Sequence, residues 1–170
     1  MRSIRWTTWC WSLGILLFVA FVIWPLIDQQ LMQIPMTDGL AALRNGKIAQ
    51  FAQCFTPDAR ITTPQVSMSI DKLINHLKPL LEEGENGSSV RFGGYSHLQH
   101  HASTVTADVT FIYDIQNDDI PYPSLPTRWT ERVTLEKVNL FSWKIKEIHL
   151  YDDALNAFVK HWIISGNVRD

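Results

Sequence analysis

The chain has 170 residues and a net charge of −2, with charges of both signs mixed along its length and neither a basic stripe nor an acidic tail. That balance excludes the electrostatic footprint of a nucleic-acid binder. The length leaves room for one ordinary domain beside any targeting segment. The two cysteines, Cys10 and Cys54, define neither a disulfide framework nor a CxxC metal site, because Cys10 falls inside the first apolar run. Cys54 reads as a small buried hydrophobe.

Residues 6–27 carry no charge, and only Thr7, Thr8 and Ser12 are clearly polar. A bilayer core is crossed by about 20 helical residues, so this run is long enough to span and to contact membrane lipid. Trp6, Trp9 and Trp11 stand at one end and Trp24 at the other, as an aromatic belt places them. Arg2 and Arg5 precede the run. By the positive-inside rule they keep the N-terminus in the cytoplasm and put the rest of the chain outside, as a single-pass protein of the cell membrane. The competing readings are a cleaved signal peptide, which lacks a small-residue cleavage site here, and a buried core helix. The expected division is an anchor over 1–27, a linker over 28–36 and an α+β domain over 37–170.

In chain order, residues 28–36 read as a Gln-rich spacer ending at Pro35. Thr37 or Asp38 caps a short helix carrying Leu40, Ala41 and Leu43, stopped by Asn45-Gly46. A second short helix places Ile48, Phe51, Ala52 and Phe55 on one face, and Thr56-Pro57-Asp58 ends it, with Asp58 as a turn or cap residue. A short strand over 59–63 closes at Pro64. Ser69 caps a third helix with Ile70, Leu73, Ile74 and Leu77 as its stripe, kinked or restarted by Pro79. Residues 90–99 form a strand weakened by Gly93-Gly94, a bulge or bend signal, and 100–103 a turn. From 104 to 115 the alternation is clean, with Val105, Ala107, Val109, Phe111, Tyr113 and Ile115 on one face. A Pro-rich loop follows over 116–126.

Residues 127–151 then form two long strands joined at 139–142, rich in β-branched and aromatic residues. A hairpin of this length must bury a face on something. Asp152 or Asp153 caps a last helix with Leu155, Phe158, Val159, Trp162 and Ile163 on its apolar side.

Three helices, a short strand and then long antiparallel strands is an α+β order. Several stretches match a known pattern: 41–46 (AALRNG), Phe51, 54–61 (CFTPDARI), Pro64, the helix over 70–81, and Trp143-Lys144-Ile145 through His149. On these the chain resembles the nuclear transport factor 2-like superfamily, which includes ketosteroid isomerase and the SnoaL-like cyclases. The resemblance spans roughly residues 37–153. It implies a strongly curved antiparallel sheet wrapped on three helices into a cone with a pocket inside, followed by a C-terminal helix. It also implies that Phe51, Phe55, Phe111, Tyr113, Trp129 and Tyr151 line a ligand pocket. Ketosteroid isomerase chemistry is not carried over: Thr63 stands where that enzyme has its catalytic Asp, Gly39 near its oxyanion-hole Tyr, and Leu135 near its second acidic donor.

Among candidate polar sites, His149 is the one side chain suited to acid–base work near neutral pH. Related dehydratases use a His with an Asp in the cone, but no Asp partner is positioned here by sequence. The blander reading is a partly buried His satisfied by a neighbour. Mixed polarity on both faces of the second hairpin arm points to a bulge or to a sheet covered on both sides. Glu131, Arg132 and Glu147 resemble the acid–Arg–acid set of the superfamily's epoxide hydrolases, yet cross-strand ion pairing on the outer face explains the same residues and is the favoured reading. His97, His100 and His101 read as a solvated turn rather than a metal site, and no cofactor or phosphate-binding motif is present. The resulting expectation is a membrane-anchored, non-catalytic domain that binds a small apolar ligand or serves as an accessory or assembly subunit, a role that anchored domains of this superfamily fill. The alternative is a SnoaL-like enzyme using His149 on a small apolar substrate. The apolar hairpin faces also permit a homodimer.

Overall fold

The computed structural model describes residues 12, 14–64, 66–82, 90–113 and 128–151. The expected Pro-rich loop over 116–126, the last helix from 152 onward and the tryptophans at 6, 9 and 11 lie outside these residues. The described residues open with helix α1, Gly14–Arg44, long and apolar enough to cross a membrane. A π turn, Val19–Ile23, interrupts its first half. The residues read as a spacer are helical. Pro35 lies inside the helix and is buried, and Thr37 does not cap it but donates backward to the carbonyls of Gln33 and Ile34, 3.0 Å each. A proline removes one helical N–H and disfavours the turn before it. Here the apolar face Met32, Pro35, Met36, Gly39 and Ala42 is buried, and tertiary packing outweighs that local cost.

The end of α1 follows the sequence closely. Gly46 adopts φ 64°, Gly46 N donates to Leu43 O at 3.1 Å, and Lys47 N donates to Ala42 O at 2.8 Å. These two bonds make the Schellman closure that a left-handed glycine allows. Helix α2, Ile48–Gln53, and helix α3, Ile70–Glu82, complete the helical layer, and α3 continues through Pro79.

Among the described residues six strands form one sheet: β1 Phe55–Thr62, β2 Ser67–Ser69, β3 Val90–His101, β4 Thr104–Tyr113, β5 Arg128–Asn139 and β6 Ser142–His149. Their order is β2-β1-β6-β5-β4-β3. The long strands are antiparallel, as expected, but β1 lies parallel to β6, so the sheet is mixed. Strand β1 begins at Phe55, so Asp58 is an exposed strand residue rather than a turn or cap. His100 and His101 belong to β3, and the turn is Ala102-Ser103.

The core lies between the inner sheet face and the helices. Val105, Ala107, Val109 and Phe111 of β4, Val133 and Leu135 of β5, and Trp143 and Ile145 of β6 are buried against Met32, Met36, Phe51 and Phe55. Two irregularities curve β3. One falls between Phe92 and Gly94, where the Gly-Gly pair signalled it; the other falls between Ser96 and Gln99, where His97 adopts φ 51°. A third lies in β6. Thr134 pairs with Glu147 but Leu135 pairs with Ile145, leaving Lys146 as the extra residue. This bulge reverses the alternation, so that Ile145 and Ile148 share the inner face.

Candidate functional site: an apolar cavity in the cone

A cavity of about 250 Å³ lies between the inner face of the sheet and the three helices. Its walls come from Pro35, Met36, Gly39, Leu40 and Leu43 of α1, Phe51 of α2 and Leu73 of α3. The sheet supplies Phe55, Ile61, Met68, Val90, Phe111, Trp129, Ile145 and Ile148, with Leu150 just beyond β6. None of these side chains titrates. The inner face is apolar because each strand presents alternate residues to it, and the bulge at Lys146 keeps Ile148 and Leu150 in phase with Ile145. Tyr95 helps hold β3 against α1: its hydroxyl donates to Met32 O at 3.1 Å, and burial raises its pKa.

Of the six residues expected to line a pocket, the structure brings Phe51, Phe55, Phe111 and Trp129 together around this cavity. Phe51 and Phe55 meet edge to face with ring centroids 4.9 Å apart, and Phe111 stacks on Trp129 at 5.5 Å. Tyr151 is not among the lining residues and is 47% exposed. The side chain of Tyr113 lies outside the described residues. Trp129 carries the one polar side-chain atom of this lining: its Nε1 is buried and has no hydrogen-bond partner among the described residues. A buried indole N–H ordinarily finds an acceptor.

His149 does not reach the cavity. It stands between Ile148 and Leu150, which line it, and pairs across the ladder with exposed Arg132, so it points to the outer face. There its Nδ1 lies 2.8 Å from Thr62 Oγ1, which donates to Glu147 Oε1 at 3.0 Å. Its ring tilts against Tyr151 at 4.4 Å. The neighbour that satisfies it is thus a hydroxyl, with a carboxylate one step further on.

The outer-face reading of Glu131, Arg132 and Glu147 needs one correction. Arg132 makes a cross-strand pair, with Asp108 (Nε to Oδ1, 3.1 Å), and Asp108 also meets His97 Nδ1 at 3.0 Å. Glu147 accepts from Thr62 on the same face. Glu131 does not join them. It is 1% exposed on the inner face, opposite Val109, and accepts a hydrogen bond from the backbone N–H of Tyr151. The signal was present in its spacing: Glu131 falls two residues from both Trp129 and Val133, and a strict period of two places it inside. Among the described residues no group of three or more His, Cys, Asp or Glu could hold a metal ion.

A second cleft of about 420 Å³ between α1, α2 and the start of β6 includes Asp38, Asn45, Gln50, Gln53 and Lys144. Its lining is far more polar than that of the cone cavity.

Comparison with known proteins identifies the fold. No family model matches the chain, and no curated protein matches it. Solved structures do. A Mycobacterium tuberculosis protein of unknown function superposes with a TM-score of 0.62 at 11% identity, covering 88% of this chain and 94% of that one. A protein from Novosphingobium aromaticivorans assigned as a scytalone dehydratase gives 0.51 at 17% identity over 76% and 86%. An NTF2-like protein of unknown function from Shewanella oneidensis gives 0.50 at 13% identity over 69% and 93%. The chain therefore has the NTF2-like fold, with a long apolar helix at its N-terminal end. At these identities the likeness is one of architecture, and function has to be argued from the site.

Proposed function

We propose that this protein is a membrane-anchored, non-catalytic binding domain that takes a small apolar molecule into the cone. The observation that carries the reading is the lining of the cavity, which among the described residues is apolar and without a titratable side chain. At about 250 Å³ it falls just below the usual range of ligand sites, roughly 300 to 1,000 Å³, which restricts it to a small molecule. The unpartnered Nε1 of Trp129 favours a ligand that is mostly hydrocarbon and carries one acceptor, such as a carbonyl or ether oxygen. Anchoring is supported by the length and composition of α1, whose first half is exposed, including Ile15, Leu16, Phe18 and Phe21. Arg2 and Arg5, ahead of the apolar run, favour placing the domain outside the cytoplasmic membrane.

The test is saturable binding of a small neutral naphthylamine dye to the full chain in nanodiscs, measured against protein-free nanodiscs. Ile148→Trp, which fills the cavity, is expected to abolish binding. His149→Ala, on the opposite face, is expected to leave it unchanged. Loss of binding in His149→Ala alone would favour the enzyme reading instead.

A further inference from the structure

The turn between β5 and β6 is apolar and exposed, with Val138 at 45%, Leu140 at 57% and Phe141 at 64%. Single exposed hydrophobes need no explanation, but three at one hairpin tip form a patch. Its position is set by Asp28 of α1. One carboxylate oxygen of Asp28 accepts from Lys137 Nζ at 2.7 Å and from Trp143 Nε1 at 2.9 Å, which clamps both arms of the hairpin to the helix. Trp24 lies one helical turn earlier, and its ring meets Phe141 edge to face at 5.6 Å. Four residues of helix rise about 6 Å. Phe141 therefore sits that far beyond Asp28 in the direction of the apolar run, level with the helix's own last tryptophan. Lys137 Nζ lies over the rings of Trp24 and Trp143, at 5.8 and 5.3 Å. Its ammonium is placed where a lysine at a membrane surface reaches headgroups while its stem covers apolar surface. Tryptophan and phenylalanine beside such a lysine make the composition of a membrane interface.

We propose that the Leu140–Phe141 tip is a second membrane contact, inserted in the interfacial layer of the same bilayer that α1 crosses. The occupant of this apolar tip is lipid, because the patch is continuous with the helix surface that faces lipid. The inference rests on the reading of residues 6–27 as a membrane span. Insertion at two points, helix and tip, fixes the rotation of the domain about the helix axis, which a single anchor leaves free.

The experiment uses the full chain carrying Cys10→Ser, with one new cysteine at a time: Phe18→Cys, Phe141→Cys or Arg128→Cys. Cys54 is buried and stays unlabelled in the native fold. Each cysteine is labelled with a nitrobenzoxadiazole dye, and the protein is reconstituted into phosphatidylcholine–phosphatidylglycerol vesicles with and without nitroxide-labelled lipid. Labels at 18 and 141 are expected to be quenched severalfold more than the label at 128, which sits at the far end of β5. Adding Leu140→Asp is expected to reduce quenching at 141 and leave position 18 unchanged. Quenching at 18 without quenching at 141 overturns the tip contact and leaves the span standing. Quenching at neither position overturns the span and the tip together. A label at 141 shielded from aqueous iodide yet insensitive to the lipid nitroxide shows that a second copy or a partner protein covers the tip, and this also overturns the proposal.

Discussion

Trp143 Nε1 donates to Asp28 Oδ1 across 2.9 Å, although the two residues are 115 apart in the chain. The same oxygen takes the Lys137 ammonium at 2.7 Å, and both charged side chains are about four-fifths removed from solvent. The three groups tie the helix to the hairpin. Asp28→Ala is expected to cost about 1–3 kcal/mol, since it leaves a partly buried indole N–H and an ammonium unmatched, a penalty moderated by residual solvent access. Asp28→Asn keeps an acceptor for Trp143 and is expected to lose about half of that. Urea unfolding in mild detergent, followed by tryptophan emission, distinguishes the two. A Trp143→Phe cycle in the Asp28→Ala background is expected to show coupling of about 1 kcal/mol.

Glu131 is a carboxyl group on the inner face of the sheet but outside the cavity lining, 1% exposed, with the Tyr151 N–H as a donor to it. Glu131→Ala removes that acceptor and opens a void beside Val109 and Val133, with an expected loss of about 2–4 kcal/mol. Glu131→Gln keeps the size and the acceptor oxygen and is expected to retain most of the stability. Equal losses in the two variants would show that the charge, rather than the hydrogen bond and packing, is what matters there. The same unfolding curves decide it.

Two glycines are expected to respond to alanine in opposite directions. Gly39 lies within α1, and a Cβ there would meet Cys54 and Phe51 at 3.7–3.8 Å, ordinary contact. Gly39→Ala should therefore stabilise the fold by about 0.5–1 kcal/mol through reduced unfolded-state freedom, while slightly narrowing the cavity. At Gly93 a Cβ would meet Thr110 O and Ile112 Cδ1, both at 3.1 Å, and the carbonyl cannot swing away without disturbing the β3–β4 ladder. Gly93→Ala is expected to cost about 1–3 kcal/mol. Thermal unfolding midpoints moving in opposite directions confirm the pair.

Burial pushes the Cys54 thiol up from its ordinary 9.0 to about 11, with the Asp38 carboxylate adding to the shift and Lys144 opposing it. Two units at a given pH mean a thiolate fraction about a hundredfold lower in the native chain, below the pH where either form is mostly ionised. In a Cys10→Ser background, reaction with Ellman's reagent at pH 8 is expected to be slower by at least that factor than in denaturant, since access is restricted as well. The linkage has a definite sign. As pH rises, the unfolded thiol loses its proton first, so this contribution to stability is full below 9.0 and is lost between 9.0 and about 11.

Much of the scaffold could be read from local pattern. The period-two run of β4 named Val105, Ala107, Val109 and Phe111 as one face, and all four are buried. The Asn45-Gly46 stop, the α3 stripe, the Gly93-Gly94 irregularity and the hairpin turn before Ser142 each rest on a signal confined to a few residues. What escaped depends on partners distant in sequence. Pro35 marks a break by its own chemistry, yet the sheet holds the helix through it. Glu131 looked like a surface acid because polarity was weighted above alternation. Of the expected pocket residues, those on elements with unambiguous faces line the cavity, whereas Tyr151 follows a strand whose phase had changed. That phase depends on pairing with β5 and β1: the mixed polarity of the arm signalled an irregularity but did not place it at Lys146.

The extra residue at Lys146 has a consequence for how this wall could change. Side-chain parity along a strand is binary, and one residue absorbed as a bulge exchanges the two faces of everything beyond it. Paired straight through without the bulge, β6 would turn Glu147 and His149 inward and Ile148 and Leu150 to solvent. Deleting Lys146 would instead place Ile145 and Ile148 two residues apart on one face and keep the hydrocarbon lining with regular pairing. The same strand therefore encodes two linings, one hydrocarbon and one able to exchange protons, separated by a single bulge. A greasy receptacle and an acid–base pocket are, in this architecture, neighbours in register rather than distant inventions.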